Sequence, residues 1–569
     1  TGQRSVAIGY QALDGQTTGG DNVSVGYESG SAVTTGLENT FIGYYAGAGT
    51  TTADYNVAIG ASALQANSTG ANNVAIGRAA LDANTTASNN VAMGLNALGA
   101  ATTGGLNIAI GSYAGDAITT GTQNTAMGYN ALSANATSHS NTAIGSGALS
   151  ANTAAQNTAV GDEALNKNTS ATANVAVGYQ ALNDTTTGAE NTAVGFQALK
   201  ANTTAQQNTA VGRLALLSNT TGNHNVAVGS ATLDANTTGQ YNVGMGNGAL
   251  SGNTTAEENT AFGHNAMLDN TTGANNTAVG SSALANNTTA NNNTAVGRHS
   301  LLSSTTGTQN TAIGTFSLDA NTTGGSNVAV GYSALTNATT ASSNIAVGHS
   351  ALQDATTGAE NVAVGHAAIG SVTGGNNNIA IGYAAGNHSV ANNGDKNIFI
   401  GMYCDAPATD TDSSIVMGYD VNGVGTDNFT FGRQSVDSNI AFGATSISAP
   451  SDIRLKEDIQ DEVVGLDFIN ELRPVTFLWK KAKDVPSEMK VHNPDSEERV
   501  MNGKYNHGFI AQEVKEVIDR HDLKDGFDMW TEDETDGRQR IGEASLMPIM
   551  VKAVQELSAK VEELEDKLK

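Results

Sequence analysis

Few residues of this chain stand where they could do chemistry. Of 569 residues only one is a cysteine, Cys404, which alone makes neither an intrachain disulfide nor a zinc site and reads as a small buried apolar residue. Acidic residues in the first 450 positions are scattered (Asp14, Asp54, Asp82, Asp162), and no carboxylate pair recurs at a fixed spacing. Glycosidic cleavage needs two carboxylates about 5–9.5 Å apart, which neighbouring segments would supply here only by chance. The Gly-Gly-x-Gly-x-Asp calcium repeat is absent, and nothing in the pattern calls for a metal or a cofactor. Tyr10, Tyr27, Tyr44, Tyr129, Tyr179, Tyr332 and Tyr383 each follow a glycine. Such a row could stack on sugars, or pack on itself as partly covered shoulder residues. Asn-Thr-Thr triplets at Asn84, Asn202, Asn236 and Asn287 match glycosylation acceptors, but asparagine is also a turn residue that tolerates left-handed backbone.

The elements that would carry these residues come from two kinds of chain. All six prolines lie at or beyond Pro407, both tryptophans lie in the last 119 residues, and 18 of the 26 Lys and Arg fall in 451–569. The net charge of −27 divides into −17 for 1–450 and −10 for 451–569, so neither part offers the basic surface that nucleic acid requires. No apolar run approaches the ~18–20 residues of a membrane span, which argues against insertion. No signal peptide is visible, although Thr1 is not a natural start and a leader could have been removed.

A repeat fills most of the chain. The glycines that close phrases such as Asn56-Val57-Ala58-Ile59-Gly60 number 23 from Gly9 to Gly382, and every spacing is 17 residues except the 16 between Gly145 and Gly161. In Asn56-Val57-Ala58-Ile59-Gly60, Val57 and Ile59 share one face and Ala58 points to the other, which is strand alternation. One glycine and several Asn or β-branched residues per 17 would be costly in a helix. Each unit therefore reads as one coil of a β-solenoid: a short strand ending at glycine, a second strand carrying Ala63-Leu64, and a corner at Asn-Thr-Thr-Gly. Proline would break hydrogen bonds between coils, in keeping with its absence before Pro407. Asparagine stands four residues before the glycine in 22 of 23 units, as at Asn56, Asn73, Asn90, Asn107 and Asn124. Stacked once per coil, buried amides can form a hydrogen-bonded ladder. With coils ~4.8 Å apart, 22 steps give roughly 105 Å.

A 17-residue coil of Ala, Val, Ile and one Leu encloses little volume, which predicts an obligate oligomer with sister chains packed along the alanine face. The expected organisation is a solenoid fibre over 1–400, an irregular β transition over 401–450 and a small α+β domain over 451–569. The phrase Asn-Val-Ala-Ile-Gly at 56–60 resembles the Asn-Ser-Val-Ala-Ile-Gly phrase in the left-handed β-roll heads of trimeric autotransporter adhesins, whose units are usually shorter.

From Ser451 the texture changes. Residues 461–472 read as a helix with Val464, Phe468 and Leu472 on one face, ended by Pro474; 475–478 read as a strand, 508–510 as a strand start and 511–519 as a helix. Met547, Met550, Val554, Leu557, Val561, Leu564 and Leu568 fall at a and d positions of successive heptads, predicting a terminal coiled coil over 547–569. Three motifs, Ser-Asp-Ile-Arg-Leu-Lys at 451–456, Leu-Arg-Pro-Val-Thr-Phe at 472–477 and Gly-Phe-Ile-Ala-Gln-Glu-Val at 508–514, stand in order ahead of it. Together they resemble the intramolecular chaperone domain of phage tail fibres and tail spikes, the S74 peptidase family.

That resemblance implies a homotrimeric clamp that folds the fibre upstream and then cuts itself off. It assigns Ser451 as nucleophile, Lys456 as base and Pro450–Ser451 as the bond cut. A hydroxyl needs an adjacent base to attack, and a lysine serves as one only where burial or nearby positive charge favours the neutral amine. Arg454 is a candidate for that charge. Asp452, His507, Gln512 and Glu513 lie in or beside the same motifs, the last three with a structural role favoured. The expected function is a trimeric tail fibre of a virion that attaches to a glycan or protein receptor on the host surface. The alternatives are a bacterial surface adhesin using the same chaperone, or a polysaccharide depolymerase.

Overall fold

A computed structural model describes the chain except residues 1–3, 388–392, 435, 445, 446, 449, 450, 452, 490, 524–528 and 534–536, and the side chain of Leu455. The chain divides into two compact units, 1–450 and 451–569.

The first unit is a β-solenoid of about 25 turns. Each turn contributes one short strand, of three residues up to Ile398–Ile400, and successive strands pair in parallel with like residues opposed, as in Val57↔Val74, Ala58↔Ala75 and Ile59↔Ile76. The parallel stack runs from Val6–Ile8 through Ile415–Tyr419 to Asn428–Arg433. It continues through residues 401–433, beyond the strict 17-residue phase, and Val436–Ala441 then closes it as an antiparallel strand. The one 16-residue unit keeps register, pairing Thr142 with Thr158. Its missing residue is taken out of the corner, where Asn152 Nδ2 reaches Ala154 O two residues on, whereas Asn84 reaches Ala87 three residues on.

Backbone bonds pass between coils all the way round. In one coil Val57 N donates to Asn73 O at 2.8 Å, Leu64 N to Ala80 O at 2.9 Å and Ser68 N to Thr85 O at 2.8 Å. The Ala63-Leu64 side, expected as a second strand, is instead a run of turns. Ser62 and Leu64 hold φ of 59° and 53°, a left-handed conformation that L-residues avoid, and a strand cannot pass through it. The hydrogen bonds to the neighbouring coils and the burial of Leu64 offset that cost.

The inside of the coil is narrow. Ala58, Ala63 and Leu64 are fully buried, while Ile59 faces outward. The alanine face is therefore the interior of each chain, and the expectation that sister chains pack along it is corrected: no second chain reaches it. Glycine ends each strand for two reasons. Gly60 has φ +133°, and a Cβ there would sit 2.6 Å from the carbonyl oxygen of Gly77.

The second unit is a small α+β fold. Helices α1 (Leu466–Glu471), α2 (Ala511–Arg520) and α3 (Leu546–Leu568) enclose a core of Phe468, Val514, Val517, Ile518, Met529, Leu546 and Ile549. Strand Val475–Phe477 pairs antiparallel with Asn506–Gly508, joining the second and third motifs. Helix α1 is shorter than its hydrophobic pattern, because Gly465 precedes it with non-helical angles.

Candidate functional site

Ser451 and Lys456 are brought together by a short 3-10 turn over Ile453–Leu455, in which Lys456 N donates to Ile453 O. The turn folds the lysine stem back, and Lys456 Nζ lies 2.7 Å from Ser451 Oγ. This is the contact a hydroxyl nucleophile and an amine base must share. As placed, the ammonium donates to the hydroxyl oxygen; for the base role the amine must first lose that proton. Both side chains are exposed in the single chain. Arg454 is also exposed, on the same turn. Pro450 and Asp452 lie outside the described residues.

The remaining motif residues lie around the paired strands. Glu513, in the first turn of α2, forms a forked ion pair with Arg473, whose Nε donates to Oε2 at 2.9 Å. The guanidinium holds the Glu513 carboxyl below its ordinary range. This pair ties the second motif to the third and is a structural tie in the single chain. Gln512 is exposed on α2. His507 stands opposite Thr476 in the strand pair and lines a groove of about 620 Å³ with Pro474, Phe509, Glu543, Met547 and Met550.

Glu556 carries a role that periodicity does not signal. From α3 its Oε2 accepts the N–H of Leu466 at 2.9 Å, capping α1. A Cβ at residue 465 would meet the same carboxylate at 2.7 Å, so Gly465 makes room for it. Helix α3 uses Leu546, Ile549 and Ala553 against its own unit. The heptad stripe, Met547, Met550, Val554, Leu557, Val561, Leu564 and Leu568, is exposed along its whole length.

In the solenoid, Asn56, Asn73, Asn90, Asn107 and Asn124 are all buried, and each Oδ1 accepts the backbone N–H of the next asparagine, as Asn56 Oδ1 does from Asn73 N–H at 3.0 Å. Each Nδ2 bonds onward to a carbonyl, as Asn73 to Ala87 at 2.9 Å and Asn90 to Gly104 at 3.0 Å; Asn56, whose Nδ2 turns to Asp54 O, is the variant. A second, unanticipated column comes from the triplet asparagines: Asn84 Nδ2 donates to Asn67 Oδ1 at 2.8 Å, and Asn287 to Asn270 at 2.7 Å. Asn84, Asn202, Asn236 and Asn287 are fully buried, which removes them as glycan acceptors. The first threonine of each triplet donates to the next coil, as Thr85 Oγ1 to Thr102 O at 3.1 Å. Cys404 is buried against Gly418 O, and burial raises its thiol pKa.

The tyrosines pack on one another. Tyr10, Tyr27 and Tyr44 stack at 5.1 and 5.4 Å, and Tyr332, His349, His366 and Tyr383 at 5.1, 4.8 and 5.0 Å. Rings stacked so closely cover each other's faces and present edges, so a sugar cannot lie flat along these runs.

The chain is thus a β-solenoid followed by a small α+β unit that opens on a Ser–Lys contact and ends in a helix whose heptad stripe is exposed. Residues 451–523 match the Peptidase S74 family, chaperone of endosialidase, and this stretch is a chaperone-of-endosialidase domain. The match begins at the candidate nucleophile and ends before α3. No curated protein and no solved structure matches the chain. Among the described residues no helix is long and apolar enough to cross a membrane, and no group of three potential ligands gathers to hold a metal.

Proposed function

We propose that this chain is the subunit of a homotrimeric fibre, a phage tail fibre for host-surface attachment, whose C-terminal domain gathers three chains and then cuts itself off before Ser451. The observation that carries the proposal is Lys456 Nζ at 2.7 Å from Ser451 Oγ, at the first residue of the chaperone domain. The scissile bond precedes the nucleophile, so attack is local. Lys456 takes the hydroxyl proton, and Ser451 Oγ adds to the carbonyl carbon of residue 450 through a five-membered ring. The C–N bond breaks as the nitrogen is protonated, leaving an ester to Ser451. Water hydrolyses that ester, freeing the carboxyl of residue 450 and the amine and hydroxyl of Ser451. Withdrawing Lys456 from water favours its neutral form, so association of chains is the natural trigger. The cut then follows assembly and serves as a folding checkpoint.

The exposed stripe on α3 supplies the association. Seven apolar side chains at heptad spacing bury their surface only against other helices. Leu557→Lys with Val561→Lys places charge on that seam and leaves the buried face of α3 intact. The variant is expected to sediment as a monomer and to stay uncut; a cut monomer would separate cleavage from assembly and refute the checkpoint. The alternative of a bacterial surface adhesin rests on the Asn-Val-Ala-Ile-Gly phrase. It uses the same chaperone and differs in what anchors the fibre.

A further inference from the structure

We propose that the outward row of the solenoid sheet is the seam along which copies of this chain pack, parallel and in register. Every solenoid strand turns its first and third residues outward. From Val6 to Met417 the third position is always Val, Ile, Met or Phe, and the first is Val, Ile or Thr. No charge falls in either row, although residues 1–450 carry a net −17. The third-position side chains stay substantially exposed: Ile59 36%, Met127 37%, Val211 38% and Ile381 45%. At roughly 40 Å² of exposed side chain each, two dozen coils present on the order of 1,000 Å² of apolar surface per chain from this row alone. A monomer rarely leaves more than a few hundred Å² in one patch, whereas a stable interface buries ~800 Å² per partner.

The geometry selects the occupant. A partner must offer an uncharged apolar row repeating every ~4.8 Å over roughly 120 Å. A second copy of this solenoid has that period and that length. The row ends at Ile415, Met417 and Phe429, which line an apolar depression of about 300 Å³ with Ile440 and Phe442. The inference rests on the trimeric fibre proposed above, because copies gathered at their C-terminal helices run parallel and oppose like coils.

The test uses the full chain with Val211→Cys, and Thr221→Cys as a control on the exposed corner ten residues further along. Native Cys404 is fully buried, so the introduced thiol is the reactive one. Each variant is sedimented, treated with a short bismaleimide and resolved under denaturing conditions. The seam predicts crosslinked pairs for Val211→Cys, up to about two of every three chains in a closed trimer, and none for Thr221→Cys. Oligomers that crosslink at neither position, or only at Thr221, would overturn the seam and leave the fibre intact. A Val211→Cys chain that sediments as a monomer, with wild type also monomeric, would overturn the fibre itself.

Discussion

Removing one asparagine from the ladder should open the solenoid locally and measurably. Asn242 is fully buried; its Nδ2 donates to Ala256 O at 2.8 Å and to Asn225 Oδ1 at 3.2 Å, and its Oδ1 accepts Asn259 N–H at 3.1 Å. Asn242→Ala removes all three bonds. Ala256 O keeps a bond from Asn253 Nδ2, so the group left stranded is the Asn259 N–H. A stranded buried donor costs about 1–3 kcal/mol and each lost bond about 0.5–1.5, giving roughly 3 kcal/mol. Asn236→Ala, in the second column, also removes three bonds but strands no backbone N–H. Its expected cost is about 1–2 kcal/mol. Because coils contact only their neighbours, the defect stays local, and hydrogen exchange is the assay. Amides of the coils flanking residue 242 should exchange about 100-fold faster than in wild type, and those flanking residue 236 about 10-fold. Asn242→Asp keeps the acceptor for Asn259 N–H but sets a carboxylate against Ala256 O, so it should be worse than alanine at neutral pH and recover in acid. Equal effects at 242 and 236, or less than about 1 kcal/mol at 242, would refute the ladder as the element that holds the corner.

Gly178→Ala sets a Cβ 2.3 Å from Gly195 O at φ +135°, so about 3 kcal/mol or more should be lost and limited proteolysis should nick that coil. Glu556→Ala uncaps α1, and thermal unfolding of the C-terminal unit should show a loss of about 1–2 kcal/mol, largely spared in Glu556→Gln, which keeps an acceptor oxygen. Burial holds the Asp319 carboxyl above its usual value of 3.8, and its Oδ1 has no partner. The neutral form is therefore favoured in the fold, stability falls as pH rises past that range, and Asp319→Asn should stabilise the solenoid at pH 7 with the gain vanishing in acid. Glu513 has the opposite sign: its carboxyl is depressed by Arg473, so the pair stabilises above the ordinary 4.5 and is lost as pH falls through the folded value. Glu513→Gln should flatten that acid limb of the C-terminal unit's melting profile.

The 17-residue period, the strand at Asn-x-Ala-x-Gly and the change of texture at 451 were legible because each repeats or departs from a pattern. Alternation showed two faces at Val57-Ala58-Ile59 but could not say which was inside; that depends on the coil's narrow interior, where alanine stands in most coils and Phe41 and Phe399 are exceptions. The Ala63-Leu64 side was misread as a strand because leucine at φ 53° runs against local preference, and inter-coil bonds override it. The buried column through Asn84 was hidden by its turn-like triplet. In the C-terminal unit, the Ser451–Lys456 pair was legible through the three-motif resemblance, since two such residues five apart are common in loops. Arg473 with Glu513, and Glu556 with Leu466, join residues 40 and 90 apart and leave no local trace.

Release of a mature fibre by its own chaperone is read out by intact mass under denaturing conditions, wild type beside Ser451→Ala. Wild type should give products of 450 and 119 residues, and the variant one uncut chain of 569. An uncut chain in both would contradict self-cleavage and make the C-terminal domain a permanent cap on the assembled fibre.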